Sequence, residues 1–229
     1  MTARIAVLAS GSGTNLQAIL DYFAASREER AGDVVLVASN RSDAGALERA
    51  RRAGVAAAVL GSGPSDVGCE LDNLLRKHRV DFVALAGFLR LLSKDTIAEF
   101  PSRIVNIHPA LLPSFGGPGM YGERVHRAVL QSGAGVSGAT VHYVDEEYDN
   151  GAILAQWPVP VLADDTVQSL ASRVLKVEHV LYPRVIDAVA SGRWTFSARP
   201  RPVPDAAALS LMHWDETRLT EEIENAFGL

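Results

Sequence analysis

The chain has 229 residues, of which 48% are hydrophobic and 21% are charged, an ordinary composition for a globular protein and ample for a sizeable core. Its formal net charge of -5 excludes the global basic field that many nucleic-acid-binding proteins carry. The single cysteine, Cys69, excludes an internal disulfide framework and fits a reducing compartment.

The N-terminal residues lead directly into a strand-like run, without the long apolar segment or the small-residue cleavage site of a signal peptide. The longest apolar stretches are far shorter than a membrane span. We therefore expect a cytoplasmic protein that contacts neither nucleic acid nor membrane.

In the first half of the chain, apolar runs typical of buried strands alternate with segments of helical periodicity. Strands are predicted at residues 4–9, 33–39, 56–60, 81–86 and 103–108. Helices are predicted between them at residues 15–25, 43–53, 71–78 and 94–99. Ser93 is a suitable N-cap for the fourth helix. This alternation predicts an α/β fold with a doubly wound, mostly parallel sheet.

The second half follows a different pattern. A Gly-rich loop at 116–122 leads into a predicted helix at 123–130. Two further strands are predicted at 138–144 and 153–161, and we expect them to add an antiparallel element to the sheet.

Residues 166–190 have a continuous apolar face and are predicted to form one long amphipathic helix. Beyond this helix the chain becomes rich in Pro and Arg. We therefore expect a main domain at 1–192 and a C-terminal accessory segment, a helix or a tail, at 193–229.

An amide and an imidazole side chain stand two residues apart in the fifth predicted strand. Asn106 and His108 would project from one face, because side chains in a strand alternate between faces. The amide can hold a developing oxyanion and the imidazole can move a proton, which suits acyl chemistry. The alternative, a buried Asn and His satisfied by backbone partners, is equally open on these residues alone.

The segment GSGTN, residues 11–15, lies between the first strand and the first helix. Glycines there free backbone N–H groups, and a helix N-terminus favours an anion, so a phosphate site is one interpretation. The segment is not a dinucleotide fingerprint, because Leu16 occupies the third Gly position. A tight turn without a ligand stays equally open.

The remaining titratable residues carry weaker signals. The six histidines have no metal-ligand spacing, and we predict no metal. His142 alternates with hydrophobic residues and is interpreted as structural, and His126 as a surface residue. Acidic loops are usually solvated, but a carboxylate such as Asp149 brought next to His108 would favour the protonated ring.

Taken together, the segments resemble the phosphoribosylglycinamide formyltransferases, a family of folate-dependent enzymes of purine synthesis. The resemblance runs from about residue 4 to residue 192. The block NIHPALLP with TVHYVDEEYDNG is specific for folate-dependent formyltransferases, and GSGTNLQ with VEHVLYP narrows the resemblance to the glycinamide branch. It implies the formyltransferase fold and transfer of the formyl group of 10-formyltetrahydrofolate to the amine of 5-phosphoribosylglycinamide.

The resemblance also implies residue roles. Asn106, His108 and Asp149 would be catalytic. The substrate would be held by Gly13, Thr14 and Asn15 at its phosphate and by Glu178 at its glycinamide end. The folate would be bound by Leu89, Arg90, Leu91, Leu92, Asn106, Val144 and Asp145. A cis peptide is implied before Pro113.

Two departures from the family pattern stand out. Many members have an Arg near the position of Gly68 that contacts the folate tail, and this chain has none there. The loop at 115–122 is longer and richer in Gly than in some members. What replaces the Arg, the role of residues 193–229 and the oligomeric state, a homodimer included, are left open by the sequence.

Three rival functions differ from this expectation. A methionyl-tRNA formyltransferase is expected to have a further C-terminal domain, and a formyltetrahydrofolate hydrolase an N-terminal regulatory domain. A catalytically silent nucleotide- or sugar-binding protein of the same fold is expected to lack the trio of Asn106, His108 and Asp149.

Overall fold

The computed structural model describes residues 2–25, 31–61, 64–193 and 216–227. The chain divides into two compact units. The first unit consists of Met1–Asn106 and Ile186–Thr195, and the second of Ile107–Val185 and Phe196–Leu229. Within the described residues, the chain therefore passes from one unit to the other inside one strand and inside one helix.

The first unit contains parallel strands separated by helices. Its strands are β1 (Ala3–Leu8), β2 (Gly32–Ser39), β3 (Ala56–Val59), β4 (Phe82–Leu85) and β5 (Ile104–His108), the last of which ends in the second unit. Its helices are α1 (Thr14–Ala25), α2 (Gly45–Arg52), α3 (Pro64–Lys77) and α4 (Lys94–Glu99). All pairings of these strands are parallel, in the order β3-β2-β1-β4-β5, so the predicted doubly wound sheet is confirmed.

The buried parts of the central strands are apolar because both faces of a doubly wound sheet are covered. Every residue of β4 is buried, as are the last four residues of β1. The predicted N-cap is also confirmed, since Ser93 Oγ accepts a hydrogen bond from the Thr96 N–H at 3.0 Å.

Two helix starts differ from the predictions. α2 begins at Gly45, two residues late, because Ala44 is extended and Asp43 pairs with Arg41 at 2.7 Å instead of entering the helix. α3 begins at Pro64, seven residues early. Proline is favoured at the first helical position, a signal that the apolar periodicity of this segment does not carry.

The described part of the second unit contains an antiparallel pair and three helices. Its elements are α5 (Glu123–Ser132), β6 (Val136–Tyr143), β7 (Ile153–Pro160), α6 (Val167–Ala190, which ends in the first unit) and α7 (Glu216–Phe227). β6 and β7 pair antiparallel, as predicted, and extend the strand order to β3-β2-β1-β4-β5-β6-β7. The Leu112–Pro113 peptide is cis, as the resemblance implies.

The accessory segment contains a helix that packs within the second unit. Leu219, Ile223 and Phe227 lie on one face of α7 and are at most 3% exposed. The Phe227 ring lies 6.2 Å from that of Trp157 in β7. The Pro- and Arg-rich stretch lies outside the described residues, and the division into 1–192 and 193–229 stays a prediction.

Candidate active site

β5 carries the amide and the imidazole singled out by the sequence. Asn106 and His108 are both strand residues, so their side chains leave the same face of β5, as predicted. Asn106 is half-buried, whereas His108 is 3% exposed. The strand therefore fixes the direction of both side chains before any ligand is considered.

The His108 ring is held from two sides within the second unit. Its Nε2 lies 2.9 Å from the Phe115 carbonyl oxygen. A carbonyl can only accept, so this nitrogen carries a hydrogen and donates it. Its Nδ1 lies 3.5 Å from Asp149 Oδ2, an ion-pair distance that is longer than a good hydrogen bond.

Asp149 is the carboxylate that the sequence associates with His108, and it is 11% exposed, unlike an ordinary solvated loop residue. Its Oδ2 accepts a hydrogen bond from the Gly117 N–H at 3.0 Å, and its Oδ1 lies 3.7 Å from His142 Nε2. Burial, the largest single influence, raises the pKa of Asp149, but His108, the Gly117 N–H and His142 together lower it below its usual value. Asp149 is therefore ionised at neutral pH.

A second buried histidine lies beside Asp149. His142, on β6, is 2% exposed and its Nδ1 donates to the Tyr143 carbonyl at 2.7 Å. Burial lowers its pKa, which agrees with a structural role for a neutral ring.

The surface interpretation of His126 is wrong. This residue is 5% exposed, because it lies on the same face of α5 as Val129 and Val125. Burial, helped by the nearby charge of His108, lowers its pKa to about 4. Its Nδ1 makes no hydrogen bond to any residue that the structure describes.

The phosphate candidate lies at the start of α1 in the first unit. The Gly13 carbonyl accepts the first helical hydrogen bond, from the Gln17 N–H at 2.9 Å, so the N-cap has no side chain to cap the first turn. A Cβ at Gly13 would lie 2.6 Å from the Ala46 Cα, and its φ is +76°. Close packing alone therefore requires this glycine, with or without a ligand.

Thr14 and Asn15 follow as the first helical residues and are half-buried. Gly11 differs from Gly13, because it is exposed and a Cβ there would meet nothing within 4 Å. The first turn of α1 contains no acidic residue that would repel an anion. Among the described residues, none therefore fills the space beside this helix end at Gly11.

The folate candidates Leu89 and Leu91 are 43% and 46% exposed, whereas Leu92 is 8% exposed. Exposed leucines side by side suit an apolar ligand more than an isolated surface position. The Leu89 N–H donates to Ser10 Oγ at 3.0 Å, and the Ser10 hydroxyl donates to Asn40 Oδ1 at 2.5 Å.

The sequence interpretation missed this anchor. The available signal was the small polar residue shortly after β1 and the amide that follows β2, both at the carboxyl edge of a parallel sheet.

The other candidates are distributed over both units. Glu178 of α6 is 6% exposed, and Arg90 lies in the loop with the leucines. Val144 is half-buried, and the carboxylate of Asp145 is held inside its own loop by the Glu147 N–H and the Asn150 amide.

Over the described parts of the chain, three or more His, Cys, Asp or Glu side chains nowhere form a group that could hold a metal ion. Of the helices described, none is long and apolar enough to span a membrane.

Comparisons with known proteins add independent findings. The model of the formyl transferase family matches residues 3–186. The chain is 49% and 45% identical to the chloroplastic phosphoribosylglycinamide formyltransferases of Arabidopsis thaliana and Vigna unguiculata. Each match covers 83% of this chain but only 66% and 62% of the plant proteins, so the chain spans less than two thirds of their length.

The fold has a close counterpart among solved structures. The crystal structure of glycinamide ribonucleotide transformylase 1 from Symbiobacterium toebii matches with a TM-score of 0.80 and 44% sequence identity. That match covers 87% of this chain and 92% of the other.

Proposed function

We propose that this chain, which belongs to the formyl transferase family, transfers the formyl group of 10-formyltetrahydrofolate to the amine of 5-phosphoribosylglycinamide in purine synthesis. The observation that carries the proposal is the buried pair of His108 and Asp149. Asn106 lies two positions before His108 on β5. This set supplies an amide donor, a proton carrier and a counter-charge, which acyl transfer to an amine needs.

In the proposed reaction, the amine attacks the formyl carbon and negative charge develops on the formyl oxygen. The Asn106 amide and the protonated His108 ring stabilise that charge. Asp149, whose pKa lies below its usual value, supplies a negative counter-charge beside the ring. The amine loses one proton and the leaving folate nitrogen gains one, so His108 needs only to relay a proton.

Substrate binding is assigned to chemically matched groups. The backbone N–H groups of Gly13, Thr14 and Asn15 would hold the phosphate, where the dipole of α1 favours an anion. The carboxylate of Glu178 would bind the glycinamide end.

For the folate, the exposed faces of Leu89 and Leu91 fit a flat apolar ring. The other residues that the resemblance assigns to the folate are Arg90, Leu92, Asn106, Val144 and Asp145.

An assay with both purified substrates tests the proposal. We expect tetrahydrofolate to form only when the glycinamide ribotide is present. Tetrahydrofolate release without the ribotide would favour a hydrolase, in which water replaces the amine. No product in either case, with the ligands bound, would favour a silent binding protein.

The proposal involves two small molecules and a cytoplasmic reaction. Neither nucleic acid nor membrane has a role in it, and a homodimer stays a prediction. The exposed free thiol of Cys69 is compatible with a reducing compartment. Cell fractionation of the tagged protein tests the location, which deserves a direct measurement because the two plant relatives are named chloroplastic.

A further inference from the structure

One short segment of the Gly-rich loop contacts both members of the His108–Asp149 pair. We call residues 115–117 the clamp. Its first residue, Phe115, accepts a hydrogen bond from His108 Nε2 through its carbonyl at 2.9 Å. Its third residue, Gly117, donates its backbone N–H to Asp149 Oδ2 at 3.0 Å.

The backbone is left-handed on both sides of the pair. Phe115 has φ +58°, which is uncommon for residues other than Gly, Asn and Asp, and Asp149, a residue type that tolerates this conformation, has φ +55°. Gly117, at φ +92°, uses the freedom of glycine. Such conformations cluster at functional sites, where neighbouring contacts hold them.

The clamp determines which ring nitrogen of His108 keeps its hydrogen. Because the Phe115 carbonyl can only accept, the Nε2 of His108 must keep its hydrogen in every protonation state that preserves this contact. The hydrogen that comes and goes is then the one on Nδ1, which faces the Asp149 carboxylate at 3.5 Å. Two other titratable groups lie nearby. His142 of β6 faces Asp149, and His126 of α5 has a pKa that the charge of His108 helps to lower.

We propose that the clamp is a positioning element that fixes the Nε2–H form of His108, so that the proton this residue relays during formyl transfer leaves from and returns to Nδ1. The relay balances, because the proton lost by the attacking amine equals the one gained by the leaving folate nitrogen. The catalytic part of this inference rests on the proposed function, whereas the state of the ring does not.

A matched pair of glycines separates the contact from general loop strain. Gly117 and Gly119 have φ of +92° and +84°, and a Cβ on either would meet nothing within 4 Å. Gly117→Ala and Gly119→Ala therefore both place a Cβ on a left-handed residue without a clash among the described residues, but only Gly117 donates a hydrogen bond to Asp149.

We expect Gly117→Ala to lower kcat about ten- to a hundredfold, as small misplacements of reacting groups do, with both KM values within about twofold of the unsubstituted chain. Gly119→Ala should stay within about twofold in kcat. Equal losses in the two variants, or none in Gly117→Ala, would overturn the catalytic role of the clamp.

A second pair tests the carbonyl at residue 115. Phe115→Asn and Phe115→Val both remove the aromatic ring, but Asn tolerates the left-handed conformation and the β-branched Val does not. We expect the acid limb of the kcat–pH profile to stay in place in Phe115→Asn and to shift in Phe115→Val. An identical kcat–pH profile in the two variants would contradict a role for the carbonyl at residue 115, because both variants lack the aromatic ring of Phe115.

The ring state itself is measured by ¹⁵N NMR on protein labelled at histidine, at a pH where His108 is neutral. We expect hydrogen on Nε2 in the unsubstituted chain and in Gly119→Ala, and a mixture of both forms in Phe115→Val. Hydrogen on Nδ1 in the unsubstituted chain overturns the inference. If the protein binds its ligands but transfers no formyl group, the proposed function fails, while the NMR result still decides the ring state.

Discussion

Asn106 contributes a single group to the proposed chemistry, an amide that can donate to a developing oxyanion. Asn106→Ala should lower kcat by about 10²–10³, the usual cost of one such donor. Folding should change little, since the side chain is half-buried. Steady-state kinetics and a thermal melt measure both, with Asn73→Ala at an exposed position of α3 as the control. A folded variant with normal turnover would remove Asn106 from the mechanism.

Asp149 acts in the proposal through its charge. Asp149→Asn keeps the shape of the side chain but removes the negative charge that faces the His108 ring, so kcat should fall by about 10²–10⁴. Because the pKa of Asp149 lies below its usual value of 3.8, its contribution to activity and stability is present at neutral pH. That contribution is lost only as the pH falls through the lowered pKa. A kcat–pH profile of the variant and of the unsubstituted chain measures the fall in kcat and its pH dependence. An unchanged kcat in the variant would contradict the role of Asp149.

His126 should make the protein sensitive to mild acid. The folded state holds its ring neutral with a pKa of about 4, while an unfolded histidine has its usual value of 6.5. Lowering the pH from 6.5 towards 4 therefore protonates only the unfolded chain and removes up to about 3 kcal/mol of unfolding free energy.

Urea unfolding at neutral pH and in mild acid measures this loss, which should shrink in His126→Gln. His78→Gln serves as the control. An equal acid loss in His126→Gln would show that other groups, such as the buried His142, account for it.

At the scale of elements, the N-terminus of α1 carries the phosphate proposal. Gly13 is a poor position for a test, because packing against Ala46 would confuse misfolding with lost binding. Gly11→Val instead fills open space beside the helix end and should weaken ribotide binding about tenfold without affecting the folate. Calorimetry with each ligand measures both, and Gly135→Val, also in open space, is the control. Equal loss of both ligands would contradict the assignment.

The strands were predictable and several contacts of the site were not. Long apolar runs such as β1 and β4 identify buried parallel strands, because they are hydrophobic on both faces. The early start of α3 follows from Pro64, and the burial of His126 follows from its place on the buried face of α5; the sequence interpretation used neither signal. The Phe115 carbonyl contact arises from loop geometry, which no residue-type pattern encodes.

At the scale of the whole molecule, α7 is part of the second unit although the family match ends at residue 186. Phe227 is 1% exposed and packs near Trp157. Phe227→Ala should lower the unfolding free energy by about 3–5 kcal/mol, the usual cost of truncating a buried aromatic residue.

Denaturant unfolding of Phe227→Ala tests this docking, with Asn225→Ala on the exposed face of the same helix as the control. A loss no larger than that of the control would mean that α7 adds little to the stability of the unit.

The passage of β5 between the two units affects which changes the chain can tolerate. Asn106 and His108 are two positions apart in the strand, a rise of about 6.6 Å that the backbone sets and that no side chain elsewhere can alter. Point substitutions around the strand therefore leave this spacing intact. A one-residue insertion or deletion between the two would turn one of them to the opposite face. In this stretch, sequence divergence can proceed by exchange of residues but not by a change in their number.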